Sequence, residues 1–186
     1  MKVKLLQAGG YNFDLLDEQV NAFLWETIPE GTTTLTKTQF CISSKNGDDN
    51  FFEGAGNTTD RPEDFSKLNP VFKNSVIEEL FDNFPGYYRW RILVIKPKHT
   101  YSVHHDTSKQ GFQNLRLHIP VTTNPNAFLM FYENKLVGNG AQRVEYHNLK
   151  KGEIYEVNTS GYHTAVNYHP YQNRTHIVAE RFVPNE

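Results

Sequence analysis

The sequence predicts a mainly β fold with flanking α, in which an antiparallel jelly roll in the C-terminal half is buttressed by helices from the N-terminal half. Three observations predict it. From Tyr87 onward, apolar and polar residues alternate in short runs punctuated by Pro, Gly and Asn. Before that point, two stretches repeat their apolar residues at three- and four-residue intervals. The length of 186 residues suits one domain with a real core better than two of ordinary size.

Taken in order, Leu15, Leu16, Val20, Phe23, Leu24 and Ile28 lie at helical spacing, which predicts a helix over Asp14–Glu26, with Asp14 and Asp17 available as caps and Pro29-Glu30-Gly31 as its stop. The Thr-rich run 32–43, carrying Leu35, Phe40 and Ile42, suits a strand, and Asn46-Gly47-Asp48-Asp49-Asn50 reads as a turn. The polar, glycine-bearing segment 46–69 is expected to be a loop, either a substrate lid or an ordinary surface connection. Val71, Phe72, Val76, Ile77, Leu80, Phe81 and Phe84 predict a second helix closed by Pro85-Gly86, its apolar stripe packed on a sheet.

Strands are expected around Trp90–Ile95, Leu115–Ile119, Ala127–Tyr132, Ile154–Val157, Thr164–Tyr168 and Thr175–Phe182. So many short strands at this spacing indicate an antiparallel sandwich or barrel. The chain is therefore read as a single domain, 1–186, with an N-terminal helical and loop region (1–86) packed on a jelly-roll core (87–183).

Bulk properties narrow the function classes. With 19 Lys and Arg against 21 Asp and Glu, and the charges scattered, there is no basic footprint for nucleic acid. No apolar stretch approaches the ~20 residues that span a bilayer. The single Cys41 cannot form an intrachain disulfide and no signal-peptide core follows Met1, so a soluble, cytoplasmic setting is expected. Oligomeric state is not readable.

The chemistry concentrates in His104-His105-Asp106, His163 and Arg174. On a strand, residues i and i+2 share a face, so His104 and Asp106 can converge on one metal while His105 points away. His163, from a neighbouring strand, is the best-placed third ligand. Two imidazoles and a carboxylate, with no thiolate, form the 2-His-1-carboxylate set suited to non-haem Fe(II), with coordination positions left open. Arg174 stands where such a site needs a cation for an acidic cosubstrate. Arg116 and His118 share a strand face by the same spacing, either toward the site or on the solvent side of an amphipathic strand. His99, His147, His169 and His176 are expected in loops, turns or strand surfaces, and Phe128, Phe131 and the Ile92–Val94 stripe in the core.

The blocks Leu93-x-x-Lys96-Pro97-Lys98, His104-x-Asp106, Leu115-Arg116-Leu117-His118-Ile119-Pro120, Glu153–Asn158, His163-Thr164-Ala165-Val166-Asn167 and Arg174-Thr175-His176 resemble the aspartyl/asparaginyl β-hydroxylase family of Fe(II)- and 2-oxoglutarate-dependent oxygenases. The resemblance runs from Arg89 to Phe182, and its most specific elements are the Arg-x-His and His-x-x-x-Asn blocks. Lys98 departs from the pattern, since the family often has Gly after that Pro, and residues 1–87 carry no matching motif.

The resemblance implies a double-stranded β-helix of the cupin-like kind that holds Fe(II) through His104, Asp106 and His163. Arg174 would grip the distal carboxylate of 2-oxoglutarate, and Arg116 and His118 would contact cosubstrate or substrate carboxylates. It further implies O2-dependent hydroxylation of an unactivated C–H in an amino acid or a peptide or protein side chain, coupled to conversion of 2-oxoglutarate to succinate and CO2. Other function classes compatible with these residues are a cupin-like metal-containing module that binds a small molecule or carbohydrate without turnover, a metal-dependent isomerase or hydrolase on a jelly roll, and a protein-interaction domain with an aromatic-rich surface.

Overall fold

The computed structural model describes residues 2–27, 37–56, 60–106, 111–133 and 143–185. Two antiparallel sheets face each other as a jelly roll. The larger contains β1 (Val3–Ala8), β10 (Glu153–Asn158), β7 (Phe112–Thr122), β12 (Arg174–Pro184), β5 (Tyr88–Ile95) and β2 (Lys37–Cys41), in that order across the sheet. The smaller is ordered β6 (His99–Thr100), β11 (His163–Asn167), β8 (Ala127–Tyr132) and β9 (Val144–His147). A short ribbon of β3 (Ser43–Ser44) and β4 (Lys67–Leu68) lies outside both.

Alternation along the central strands sorts their side chains onto two faces. Trp90, Ile92 and Val94 of β5, Leu117, Ile119 and Val121 of β7, and Ile177 and Ala179 of β12 join the helices in one buried apolar cluster. The opposite face looks between the sheets, where Ile95, Tyr155 and Val157 meet Leu129, Phe131 and Ala165. Register keeps the faces matched, with Ile177 opposite both Ile92 and Ile119.

The helix α1 (Phe13–Thr27) covers the outer face through Leu16, Val20 and Phe23, close to the expected bounds. Its cap differs from expectation. Asn12 Oδ1 accepts from Leu15 N at 3.0 Å, whereas Asp14 and Asp17 both pair with Lys151 at 3.0 Å. A carboxamide one residue ahead of the helix reaches the free first-turn N–H groups, which residues already inside the helix cannot.

The second expected helix is divided into a 3-10 turn over Pro70–Phe72 and then α2 (Val76–Asn83). Ser75 caps α2 by accepting from Ile77 N and Glu78 N, and this restarts the helix at Val76. The strand expected over 32–43 is observed from Lys37, residues 32–36 lying outside the described set, as does Ile28 of the first helix. β1 and β9 were not expected from the sequence. β1 occupies one edge of the large sheet and β2 the other, so the N-terminal half extends the jelly roll as well as buttressing it.

Candidate metal centre

His104 and His163 are brought together by backbone pairing. His104 N donates to His163 O at 3.0 Å and His163 N donates to His104 O at 2.7 Å. β6 itself ends at Thr100, so the His-x-Asp segment is held by this isolated bridge and not by the regular strand that its spacing predicted. Asp106 is then anchored by its own N–H, which donates to Thr159 O at 3.1 Å. Side-chain ligand atoms of His104, Asp106 and His163 all lie within 4.8 Å of one another.

Both imidazoles are preset for ligation. His104 Nδ1 lies 2.8 Å from Ser102 O and His163 Nδ1 lies 2.9 Å from Gly161 O. A carbonyl accepts only from a protonated nitrogen, so Nδ1 carries a hydrogen, and in the neutral tautomer this fixes, Nε2 is the nitrogen with the lone pair. Those Nε2 atoms face Asp106, at 3.6 Å for His104 and 3.9 Å for His163. Burial pushes the His163 pKa down to about 4, keeping it neutral at pH 7. Burial works against the Asp106 charge, but Arg116 and His163 outweigh it and hold that carboxyl at about 2. His105 is exposed, its ring edge-on to Tyr162. Asn167, four residues beyond His163, is buried and donates to Ile95 O at 3.0 Å and Gln172 O at 2.8 Å, clamping the end of β11.

The inward face of the large sheet supplies the rest. Arg116 Nη2 is 2.6 Å from Asp106 Oδ2 and 3.4 Å from Glu180 Oε1, so it meets the protein's own carboxylates. Beside Asp106 this charge reserves one carboxylate oxygen and orients the other. Arg174 is 1% exposed, yet neither Nη1 nor Nη2 has a hydrogen-bond partner, and burial pulls its pKa down to about 10.

His118 and His176 are also buried with both ring nitrogens unpartnered, their rings 5.8 Å apart. Burial and then Arg174 hold both pKa values well below 6.5. Buried polar groups in folded proteins are nearly always bonded. Arg174 therefore has free donors only, and each neutral imidazole beside it one free donor and one free acceptor.

His176 is the residue that sequence reasoning misplaced. It lies inside the barrel, not on a strand surface, and its signal was the same i, i+2 step from Arg174 that joins His118 to Arg116. The other histidines of that group behave as expected: His99 contacts Pro97 O, His147 pairs with Glu145, and His169 accepts from Gln172 N in a turn. Phe131 is core, while Phe128 is half-buried on the other face of β8, edge-on to Tyr146.

A cleft of about 970 Å³ opens over the three ligand residues and extends along Arg116, Glu180, Arg91 and Arg89. His118 lines it, and its ring meets His176 on the Arg174 side. Within 46–69, residues 57–59 lie outside the described set, and Gly56 and Asp60–Glu63 form part of the cleft wall. That wall is tied down: Arg89 Nε donates to Gly54 O at 2.9 Å, and Lys45 pairs with Asp60 at 2.8 Å.

No protein-family model and no curated protein matches the sequence. Among solved structures, the chain superposes on AviO1 from Streptomyces viridochromogenes Tue57 with a TM-score of 0.59 at 12% identity, covering 98% of this chain and 89% of that one. It superposes on an oxidoreductase of the 2OG-Fe(II) oxygenase family from Burkholderia pseudomallei with a TM-score of 0.54 at 12% identity, covering 96% of this chain and 83% of that one. It also matches SnoN, a non-haem α-ketoglutarate-dependent epimerase from nogalamycin biosynthesis, with a TM-score of 0.41 at 14% identity, covering 53% of this chain and about half (46%) of SnoN. The first two likenesses establish the cupin-like double-stranded β-helix as the fold of this chain.

Proposed function

We propose that this protein is an Fe(II)- and 2-oxoglutarate-dependent dioxygenase that hydroxylates an unactivated C–H of an amino acid or of a peptide or protein side chain, in the manner of the aspartyl/asparaginyl β-hydroxylases. One observation carries the reading: a fully buried Arg174 with both Nη atoms unpartnered shares a barrel interior with converged His104, Asp106 and His163. Structural likeness to an oxygenase-family protein agrees with the same assignment. Among the described residues no helix is long and apolar enough to cross a membrane, and the lone, buried Cys41 suits a reducing cytoplasm.

The donor set fits the metal. Two imidazoles and one carboxylate on one side leave the opposite side free, as a facial site for Fe(II) requires. Iron, with O2 and 2-oxoglutarate, supplies the oxidising power for C–H cleavage. The chain's own residues bind and orient. His104, Asp106 and His163 hold the metal, and the Ser102 and Gly161 carbonyls fix which nitrogen of each imidazole points at it. Arg116 keeps Asp106 ionised and turned inward. Arg174 offers two parallel N–H groups to the distal carboxylate of the cosubstrate, with His118 and His176 alongside. The apolar floor formed by Leu129, Phe131 and Ala165 limits water around the reacting groups.

Anaerobic addition of Fe(II) and 2-oxoglutarate to the purified protein should produce a weak visible charge-transfer band, and His163→Ala should abolish both metal loading and the band. Admission of O2 with the right substrate should release succinate. Metal binding without the band and without succinate across a substrate panel would instead identify a metal-containing binding module.

A further inference from the structure

His118 of β7 and His176 of β12 meet edge to face inside the barrel, with ring centres 5.8 Å apart and planes at 81°. Among the described residues, none of their four ring nitrogens has a partner. Arg174 precedes His176 by two residues on the same face of β12, and its Nη1 and Nη2 are unpartnered as well. The other groups that face the cluster are few. The strands flanking His176 oppose it with Leu93 and Pro120, which bring no charge, and Arg174 itself is faced by Tyr101. His118 lines the cleft and is also within reach of the charges of Arg116, His163 and Asp106.

Donor and acceptor counts decide what such a cluster can accommodate. A neutral imidazole has one N–H and one lone pair, and a guanidinium has N–H groups only. A carboxylate arriving at Arg174 accepts from N–H groups but donates nothing, so the lone pairs of the two rings must be settled between the rings. With no added proton, one ring donates to the other and keeps its own lone pair buried and unpaired. With two added protons, N–H faces N–H. With one, the imidazolium donates to the neutral ring, and the two N–H groups that remain are left for the ligand. One proton is the count that pairs every nitrogen, and a small shift of either ring brings the facing nitrogens within hydrogen-bonding distance.

In the ligand-free barrel that proton is kept out. Burial first, and then the charge of Arg174, hold both rings well below their ordinary pKa of 6.5. A carboxylate on Arg174 cancels that repulsion and adds an attraction of its own, which raises the proton affinity of the pair. We propose that His118 and His176 act as one unit that takes a single proton from solvent as a carboxylate docks on Arg174, and returns it when that carboxylate leaves. The inference rests on the oxygenase reading for the identity of the anion, the distal carboxylate of 2-oxoglutarate and, after reaction, the same carboxylate on succinate. Between the pKa of the free pair and that of the liganded pair, each pH unit downward then tightens binding by up to about tenfold.

Calorimetric titration of the full chain with 2-oxoglutarate, in pairs of buffers that differ in ionisation enthalpy, counts the protons taken up per molecule bound. It is run with Mn(II), which loads the ligands without turnover, and again in EDTA with 2-oxoglutarate and with glutarate. From about pH 7.5 down to about pH 6.5, where the carboxyls of these acids stay ionised, uptake should approach one proton and Kd should fall by roughly three- to tenfold. His176→Phe leaves the second N–H of a protonated His118 against hydrocarbon. It should abolish the uptake and flatten the pH dependence while keeping Mn(II) affinity.

Nitrogen-15 NMR of the histidine-labelled wild-type chain, with diamagnetic Zn(II) in place of Mn(II), gives a second measurement that does not depend on the variant folding. It should show two neutral rings without ligand and one imidazolium shared by the pair with it. Binding without proton uptake, uptake that persists in a folded His176→Phe, two neutral rings in the liganded spectrum, or no binding in either arm overturns the proposal. If Mn(II) fails to bind while glutarate in EDTA still carries a proton in with it, the oxygenase reading falls and the proton-coupled pair remains.

Discussion

The two faces of the large sheet are built from the same strands and follow opposite rules. The outward face carries Trp90, Ile92, Leu117, Ile119 and Ile177, all fully buried against the helices, and its one polar atom of note, Trp90 Nε1, donates to Tyr87 O at 3.0 Å. The inward face carries Arg91, His118, Arg174, His176 and Glu180, also buried, and the half-buried Arg116, but six side-chain nitrogens of Arg174, His118 and His176 lack any partner. One face is finished by the protein itself. The other leaves polar groups unpaired, and the period-2 geometry of a strand allows both to exist one residue apart.

Opposite signs are therefore expected when each face is truncated. Trp90→Ala removes the largest of the fully buried side chains and its contact with Phe81, and should cost about 3–5 kcal/mol in urea unfolding. Arg174→Met, measured without ligand, should instead stabilise the chain by about 1–3 kcal/mol, because an apolar side chain replaces a buried guanidinium whose donors are unsatisfied. The same variant should keep metal affinity and lose 2-oxoglutarate binding. If Arg174→Met destabilises as Trp90→Ala does, the guanidinium is part of the finished structure and its assignment to the cosubstrate fails.

Acid should attack the inward face first. His118 and His176 have folded pKa values well below the ordinary 6.5, with burial the leading cause. Above pH 6.5 neither state is protonated and the pair is without effect on stability. As pH falls below 6.5 the unfolded chain takes up protons that the folded barrel refuses, so stability drops by about 1.4 kcal/mol per pH unit for each histidine. Asp106, at about 2, and Glu180, also lowered, extend the loss below the ordinary carboxyl range. In metal-free buffer, stability should begin to fall near pH 6.5, with His163, held down to about 4, adding to the loss, and His176→Phe should lower the initial slope by roughly a third. An unchanged slope would mean that His176 already carries its proton in the folded barrel.

What the sequence disclosed tracks how local each signal is. The α1 periodicity, the strand alternation and the His104, Asp106 and His163 set depend on spacing within a segment or on rare residue types in order, and all three were legible. Glu180 was not, because Glu180-Arg181 looks like any polar pair on a strand and its meaning comes from Arg89, Arg91 and Arg116 on two other strands. The bulge that aims Arg89 exists only in the pairing of β5 with β12. β1 is hidden for the same reason: Val3-Lys4-Leu5-Leu6 is a weak pattern until β10 supplies an edge to pair with. His176 obeys the same alternation as Arg174, but nothing within its own strand distinguishes an inward histidine from a surface one.

Two non-glycine residues near the ends of β5 take left-handed backbone, and they separate strain that serves the inward face from strain that serves nothing visible. Arg89, with φ of 52°, spends it on gripping Gly54, Gly56 and Glu180, whereas Lys98, with φ of 61°, is exposed in the turn after Pro97. A left-handed conformation costs an ordinary residue roughly 1–2 kcal/mol, and glycine recovers that at the expense of about 0.5–1 kcal/mol of unfolded-chain entropy. Lys98→Gly should therefore stabilise slightly, by about 0.5 kcal/mol and a melting-temperature rise of roughly 1–2 °C. Arg89→Gly relieves the same backbone but releases the cleft wall and one of the three cations on Glu180, and should lower the melting temperature. A rise for both would show that Arg89 contributes nothing to holding the wall, and a fall for both would show that Lys98 makes a contact worth more than its strain.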